Sequence, residues 1–217
     1  LSLHDALPIC KAVCHVCFHH CSPEEGGYGA PGVIPGHAKP GQPSLGDMFG
    51  WFTEKLCPAD AQKEAALAGI SLHELLSRKA ALLSPGASGL IALDWWNGNR
   101  STLDDSLLRG TIVGLSESTS AEAIYRALLE AAAFGIRTIA ETYEAAGIRI
   151  RSVTACGGVA VKNPLLMQII ADVLNKEVRV PDIAQASAIG AALQCACAAG
   201  ITGCTVSQPW PGDRFLQ

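Results

Sequence analysis

The sequence has no apolar run of eighteen or more residues, the length that a membrane-spanning helix needs. Only 17% of its residues are charged, and the formal net charge of −4 comes without a basic stripe that would attract nucleic acid. The opening residues carry an aspartate and no basic segment, unlike a secretory signal peptide. We therefore expect neither a membrane partner nor a nucleic-acid partner, and no secretory signal.

The nine cysteines form an odd set without the spacing of a disulfide framework. This favours a reducing compartment, and we expect a cytoplasmic protein. With 217 residues, 49% of them hydrophobic, the chain can form one domain of ordinary size or slightly more around a substantial core.

The two ends of the chain differ from its middle. Residues 1–9 contain SLHDALPI, which looks like a translated sequencing adapter, and we expect a non-native scar there. Residues 10–30 begin with a Cys- and His-rich run whose reading frame is uncertain. Residues 201–217 show no periodicity and are expected to be a frayed or non-native tail. The domain is therefore predicted over residues 31–200.

The run over residues 10–21, CKAVCHVCFHHC, holds four cysteines and three histidines. Side chains of these types can supply a tetrahedral zinc site. However, the run lacks the arrangement of two C-x-x-C pairs, C-x-x-C…C-x-x-C, and nothing downstream completes a zinc finger. The Cys- and His-rich run therefore leaves open one alternative function for the whole chain, a zinc-organised interaction module without catalysis.

Helices are predicted in the first half of the domain. Bulky apolar side chains at helical spacing predict a helix over residues 45–56, and residues 59–83 are rich in helix-forming types. Gly69 interrupts the second stretch, and Ser71 with Glu74 forms a capping box that restarts it.

The longest helix is predicted from residue 120 to about residue 146. A capping box from Thr119 to Glu122 precedes it, and Gly147 suits the position just beyond its end. Apolar and small side chains recur along it at steps of three and four residues, which predicts one buried stripe of Ile124, Ala127, Leu128, Ala131, Phe134, Thr138 and Ile139.

Residues 152–168 show a strand, a glycine turn and a helix, and this pattern is the main basis for interpreting the domain. A β-branched strand reaches Gly157 and Gly158, and Asn163 with the following proline opens an apolar helix over residues 165–174. Glycines let a backbone come close to a ligand, and the first N–H groups of a helix favour phosphate. By itself this pattern equally fits a tight turn without a ligand. A strand over residues 177–180 and a helix over residues 187–199 follow, an order that favours an α/β sheet covered by helices.

A second candidate site lies at the end of a predicted buried strand over residues 89–94. Asp94 closes the strand, and Trp95, Trp96, Asn97 and Arg100 follow in a loop. Ligand contacts in α/β sheets gather at the carboxyl ends of strands. The alternative is a surface turn held by stacked tryptophans.

Three stretches together resemble the carboxy-terminal domain of the FGGY family of carbohydrate kinases. Residues 41–52, GQPSLGDMFGWF, are similar to the family pattern EAGQSAxGDxFxWF. Residues 93–100, LDWWNGNR, are similar to LDWxNGxR of its ketopentose kinases, and residues 157–168, GGVAVKNPLLMQ, to GGxxKNxxxMQ. Residues 127–130, ALLE, also agree with the family's second signature.

The resemblance implies an actin-like, ribonuclease-H-like ATPase domain of the α/β class, the carboxy-terminal half of a two-domain sugar kinase. ATP, Mg²⁺ and the sugar would occupy the cleft between the halves, and an L-ribulose-like ketopentose would be phosphorylated. The general base would belong to the missing amino-terminal domain, so the chain would be inactive alone. By the same resemblance Gly157 and Gly158 approach the nucleotide and Asn163 lies at its adenosine side, while the cleft or substrate side would include Gln42, Asp94, Trp95, Asn97 and Arg100.

Two departures and two alternatives qualify this interpretation. Lys39 and Pro40 stand where ketopentose kinases have Glu-Ala, and an ammonium cannot accept the hydroxyl hydrogen bonds that a carboxylate accepts. Ala123 replaces an expected polar residue of the second signature. The glycine turn alone would also fit another actin-fold ATPase, and the sequence leaves a homodimer open.

Overall fold

The computed structural model describes residues 45–99 and 102–181 with their side chains, and residues 15–19 and 214–216 as backbone strands. Gln42, Arg100, Lys39 and the predicted helix over residues 187–199 lie outside this described part. So does the Cys- and His-rich run apart from residues 15–19.

Helices and short strands alternate along the chain. The helices are α1 (Leu45–Trp51), α2 (Ala59–Leu67), α3 (Leu72–Ala81), α4 (Ala121–Ala145), α5 (Gly158–Lys162) and α6 (Pro164–Leu174). The strands are β1 (His15–His19), β2 (Ile91–Leu93), β3 (Thr111–Val113), β4 (Ser152–Cys156), β5 (Val178–Val180) and β6 (Arg214–Leu216). The helices predicted over residues 45–56 and 59–83 are confirmed, with the break at Gly69 and the Ser71 cap, which accepts the Glu74 N–H. The first of them ends in a π-helical turn, Phe52–Leu56.

Four of the described strands form a mixed sheet in the order β1-β4-β5-β6. β4 and β5 run parallel, with Val153 opposite Val178, and α5 and α6 form the connection between them. β1 and β6 pair antiparallel at the two edges. The strand–helix–strand order predicted over residues 152–180 is therefore confirmed. Within the predicted tail, Arg214–Leu216 forms the edge strand β6, which pairs with β5.

Helix α4 is the central element of the core, because it packs against α1, α3, α6 and β2. Its side chains Tyr125, Leu128 and Leu129 are fully buried. They meet large buried side chains from the surrounding elements, namely Met48, Phe52, Leu76, Val153, Leu166 and Ile170. Burying each such side chain contributes roughly 1.5–3 kcal/mol, so this interface holds the domain together.

The N-cap of α4 lies one residue beyond the predicted Thr119 cap. Ser120 is the N-cap, and its hydroxyl accepts the N–H of Ala123. Thr119 instead accepts the N–H of Ser116 at 2.8 Å and so stabilises the turn before the helix. At the other end Gly147 has φ +84 and the Ile148 N–H donates to the Tyr143 carbonyl, a Schellman motif that confirms the predicted stop.

The predicted stripe on α4 is partly wrong. Phe134 is 54% exposed, and Thr138 is exposed as well. The helix instead buries Leu129, Ala132 and Ile136 in addition to Leu128. Since α4 is contacted by elements on several sides, its buried face is broader than a single stripe. In the described part of the chain no helix, including α4, is long and apolar enough to cross a bilayer.

The strand predicted as buried over residues 89–94 is short and lies at the surface. Ile91 is 69% exposed and Leu93 is 38% exposed, whereas Leu90 just before β2 is buried. β2 pairs only with β3 among the described strands, and Ala92 packs towards α4 with Ile112. One face of this two-stranded sheet therefore lies on the helix, and its other face carries the apolar side chains that the prediction placed inside.

Candidate functional site

Gly157 gives the turn after β4 a backbone that other residues rarely adopt. Its φ of +96 and ψ of 172 fall in a region that is open essentially to glycine alone. Gly158 follows as the first residue of α5, and a methyl group built on it would meet no atom within 4 Å. The surface over Gly158 is thus clear for a ligand to approach the backbone.

Backbone N–H groups line the start of α5. The first intrahelical bond of α5 runs from the Val161 N–H to the Gly157 carbonyl, so the N–H groups of Gly158, Val159 and Ala160 precede it. The first turn of α6 has fewer N–H groups available to a phosphate than the sequence suggests. Pro164 has no N–H, and the Leu166 N–H donates to the Asn163 side chain. The first turn of α6 therefore offers a phosphate fewer N–H groups than the start of α5 does.

Asn163 is buried and stabilises the start of α6. It is 7% exposed, and its Oδ1 accepts the Leu166 N–H at 3.0 Å, which caps α6. The contact with adenosine that the resemblance implies remains a prediction, and Asn163 would make it as part of this hydrogen-bonded arrangement.

Two titratable groups of α3 and α4 have shifted pKa values. Burial raises the pKa of Tyr125, and hydrogen bonds with Ser77 and Asn163 act in the opposite direction. The pKa of His73 is lowered by partial burial of its ring and by the positive charge of Lys162. The Lys162 side chain at the end of α5 is therefore close enough to the His73 ring for its charge to act on it.

The tryptophan loop is fixed by polar contacts within itself and with α1. The Asn97 Nδ2 donates to the Asp47 Oδ2 over 3.4 Å, which brings the loop to the first helix of the domain. Asn99 is buried, and its Oδ1 accepts the N–H of Thr102 and of Leu103. The loop is thus held in one shape, with Asn97 exposed at its surface.

Close packing around two glycines completes the loop. Gly98 has φ +79, and a side chain there would meet the Ser106 backbone at 2.6 Å. A side chain at Gly110 would meet the Trp96 ring at 2.1 Å. Trp96 also contacts Trp51 of α1 edge to face, with ring centroids 5.3 Å apart. The tryptophan pair that holds the loop is therefore Trp51 with Trp96, rather than the adjacent Trp95 and Trp96.

The predicted site residues form two clusters on one hydrophobic core. Ala160 of α5 belongs to that core, and Trp96 packs against it from the loop. Asp94 is buried and Trp95 is half-buried at the end of β2. The roles of these residues remain predictions, as do those of Gln42 and Arg100.

Sequence reasoning missed three residues that organise these clusters. Asp47 lies 50 positions from Asn97, and His73 lies 52 positions from Tyr125. Asp47 belongs to the GDMF segment of the resemblance, a signal that marked the segment but not its partner. Nothing local in the sequence marks Tyr125 or His73.

No described group of three or more His, Cys, Asp or Glu side chains is arranged to hold a metal ion. Five residues of the Cys- and His-rich run form the edge strand β1, with His15 opposite Cys156 in β4. A cavity of about 530 Å³ elsewhere contains none of the predicted site residues; its lining is Thr53, Glu54, Gln62, Ala65, Ala66, Ile70 and Leu72.

A family model described as the FGGY family of carbohydrate kinases, C-terminal domain, matches residues 27–199. The chain belongs to this family. The FGGY match includes both clusters of the candidate site, and it begins after β1 and ends before β6. The resemblance drawn from the three sequence stretches is thereby confirmed.

Relatives of this FGGY domain are sugar kinases. The ribulokinase of Anoxybacillus flavithermus is 48% identical over 171 residues, which cover 78% of this chain and 30% of the relative. The crystal structure of xylulose kinase from Rhodospirillum rubrum has a TM-score of 0.57 and 31% identity, covering 71% of this chain and 29% of that one. The gluconate kinase of Lactobacillus acidophilus has a TM-score of 0.59 over 73% of this chain and 30% of its own; at 22% identity it shows the fold alone.

The FGGY chain spans about 30% of the length of the curated relatives it matches. The structural likenesses confirm the predicted α/β class and the actin-like ATPase fold of the family's carboxy-terminal domain.

Proposed function

We propose that this chain is the nucleotide-binding part of a kinase that transfers a phosphoryl group from ATP to a ketopentose resembling L-ribulose. The observation that carries the proposal is the Gly157–Gly158 turn, with a backbone restricted to glycine and a clear surface over Gly158. The 48% identity to ribulokinase supports the ketopentose. A kinase of this kind would work in the cytoplasm, where its ATP is available.

The residues of the turn fit the chemistry of such a site. The N–H groups at the start of α5 can donate to phosphate oxygens, and Lys162 adds a positive charge nearby. Phosphoryl transfer depends mainly on positioning and charge neutralisation, and bound Mg²⁺ would neutralise the phosphates. The tryptophan loop, fixed to α1 through Asp47 and Trp51, is our proposed sugar-side wall. We assign no general base to this chain.

Substituting Gly158 by alanine is expected to weaken nucleotide binding at least tenfold without unfolding the domain. The new methyl group meets no protein atom, and alanine is a better helix former than glycine by about 1 kcal/mol. It would, however, occupy the space that the nucleotide needs. Calorimetric titration with MgADP should show binding by the unsubstituted chain and at least tenfold weaker binding by Gly158→Ala, at an equal or higher melting temperature.

A second pair of variants separates the effect of backbone strain on stability from the effect of the substitution on nucleotide binding. Gly157 and Gly147 both have positive φ, +96 and +84, but only Gly157 lies at the turn. Gly157→Ala and Gly147→Ala should both lower stability, and only Gly157→Ala should also weaken MgADP binding. Unchanged binding by both Gly157→Ala and Gly158→Ala would refute the proposed nucleotide site.

The whole reaction is expected to need more than this chain. With ATP, Mg²⁺ and L-ribulose the isolated chain should give no turnover above background, because we propose that it forms one wall of the cleft. Its residues 27–199 should support L-ribulose phosphorylation when they replace the matching part of Anoxybacillus flavithermus ribulokinase. A coupled ADP-release assay measures both, and ready turnover by the isolated chain, or a folded but inactive chimera, would contradict the proposal.

A further inference from the structure

Large apolar side chains are exposed mainly in one part of the domain. Of the ten that are exposed in the described part of the chain, six lie between residues 91 and 115: Ile91, Leu93, Leu103, Leu107, Val113 and Leu115. This segment consists of β2, β3, the loop between them and the two residues that follow β3. Exposed apolar side chains that gather in one patch typically mark a surface that another protein surface covers.

The outward side chains of β2 and β3 form one face of the two-stranded sheet. Alternate residues of a strand point to opposite faces, and residues that are opposite each other in register share a face. Ile91 is opposite Val113 and Leu93 is opposite Thr111, so these four residues form the outer sheet face. Ile91 is 69% exposed and Val113 is 58% exposed. Three of the four side chains are apolar and none is charged, a composition typical of the centre of a protein–protein contact.

The opposite face of the same sheet already belongs to the domain's own packing. Ala92 and Ile112 pack there with Leu90 against α4. A two-stranded sheet is marginally stable in water by itself, and packing against a helix stabilises it. Because α4 supplies that packing on the inner face, the fold of the described residues gives no reason for apolar side chains on the outer sheet face.

The position of the outer sheet face indicates which surface covers it. β2 ends at Leu93 and leads directly into Asp94 and Trp95, which we propose to lie on the substrate side of the cleft. Leu103 and Leu107 are exposed on the loop that carries the same tryptophans. The outer sheet face therefore adjoins the proposed cleft. We assign the other wall of that cleft to the part of the kinase that this chain lacks, since the chain spans only 30% of a curated relative.

We propose that the outer sheet face is an interdomain surface, which packs beside the cleft against the amino-terminal part of a complete kinase. This inference rests on the proposed function, because the proposed cleft supplies the partner. The partner surface is apolar and uncharged at its centre, since the outer sheet face offers no charge with which it could pair. A second copy of this chain is the competing occupant.

Labelling of side chains by a photoactivated carbene tests the inference, because it reports the exposure of apolar side chains. Ile91, Leu93 and Val113 should be labelled in the isolated chain. In the chimera with Anoxybacillus flavithermus ribulokinase their labelling should fall at least about fivefold, because the core of an interface excludes solvent. Leu67 and Leu82, which are 90% and 86% exposed outside this segment, are the matched controls and should be labelled equally in both proteins. Unchanged labelling of the outer sheet face in a folded chimera overturns the inference.

Val113→Lys is the second test. On the isolated chain the new ammonium points into water, so the melting temperature should change little. In the chimera it would be buried without a partner, and the melting temperature should fall by about 5 °C or more. Leu67→Lys should leave the melting temperature of both proteins unchanged. An equal fall for Val113→Lys in the two proteins would show an effect on the strand itself and contradict an interdomain contact.

Sedimentation of the isolated chain distinguishes the two occupants and does not require a folded chimera. A dimer that Val113→Lys dissociates assigns the outer sheet face to a second copy and overturns the inference. A monomer, or a dimer that Val113→Lys leaves intact, supports it. A folded chimera that protects the outer sheet face from labelling but does not phosphorylate L-ribulose supports the interdomain contact and contradicts only the proposed reaction.

Discussion

Replacing Glu130 by alanine will lower the free energy of unfolding by about 3–5 kcal/mol, the range for breaking a buried ion pair from one side. The Arg126 Nε donates to the Glu130 Oε1 over 2.7 Å, and the two side chains are only 9% and 15% exposed. Arg126 also donates to the Ala80 carbonyl, and Glu130 accepts the Gly86 N–H. The substitution would leave a buried guanidinium without its carboxylate and free the loop after α3 from α4.

Glu141→Ala is a close control for this effect. Arg137 and Glu141 form a pair on the same helix, with the same four-residue spacing, the same atoms and the same 2.7 Å distance, but with side chains 51% and 58% exposed. Exposed pairs of this spacing contribute about 0.3–0.5 kcal/mol. Urea unfolding of both variants should therefore give a large loss for Glu130→Ala and a loss below about 1 kcal/mol for Glu141→Ala.

Equal losses for the two glutamates would show that burial does not determine the strength of these pairs. Replacing both Arg126 and Glu130 by leucine should recover most of the stability lost in Glu130→Ala, because no charge then remains buried. Residues 127–130, which agree with a family signature, thus have a structural explanation: Leu128 and Leu129 fill the core, and Glu130 fixes the neighbouring loop to α4.

The features that the sequence predicted well are those set by neighbouring residues. Gly157 adopts a φ that only glycine favours, Ser71 caps the helix beside it, and Gly147 ends α4 in a Schellman motif. Each depends on the conformational preference or side-chain reach of a residue within about one helical turn. The predicted Thr119 cap was one residue off because Ser120 offers the same hydroxyl, and local chemistry does not distinguish them.

The features that escaped prediction depend on contacts between distant residues. Tyr125 contacts His73 from 52 positions away, and Asn97 contacts Asp47 from 50 positions away. No periodicity or spacing encodes such pairs, so these contacts could not be found in the sequence. The exposure of β2 could not be predicted for a related reason. Its apolar composition predicted a buried strand, but its exposure depends on which elements lie against it.

Leu128→Ala is expected to destabilise the domain by about 3–4 kcal/mol, within the range measured when a buried leucine is truncated in a well-packed core. Leu128 is 0% exposed and lies in the core that α4 forms with its neighbours. Helices α3 and α6 pack on α4 and limit how far the structure can close the cavity. The change in urea midpoint at an unchanged slope would measure the loss.

Phe134→Ala is the informative comparison, because the sequence stripe places Phe134 and Leu128 on the same buried face. In the structure Phe134 is 54% exposed, so its truncation should cost well under 1 kcal/mol although it removes a larger side chain. A loss for Phe134→Ala that matched Leu128→Ala would support the stripe and contradict the packing around α4. The expected difference of about 3 kcal/mol would instead show that α4 is buried by the elements around it, over a face that helical periodicity alone does not define.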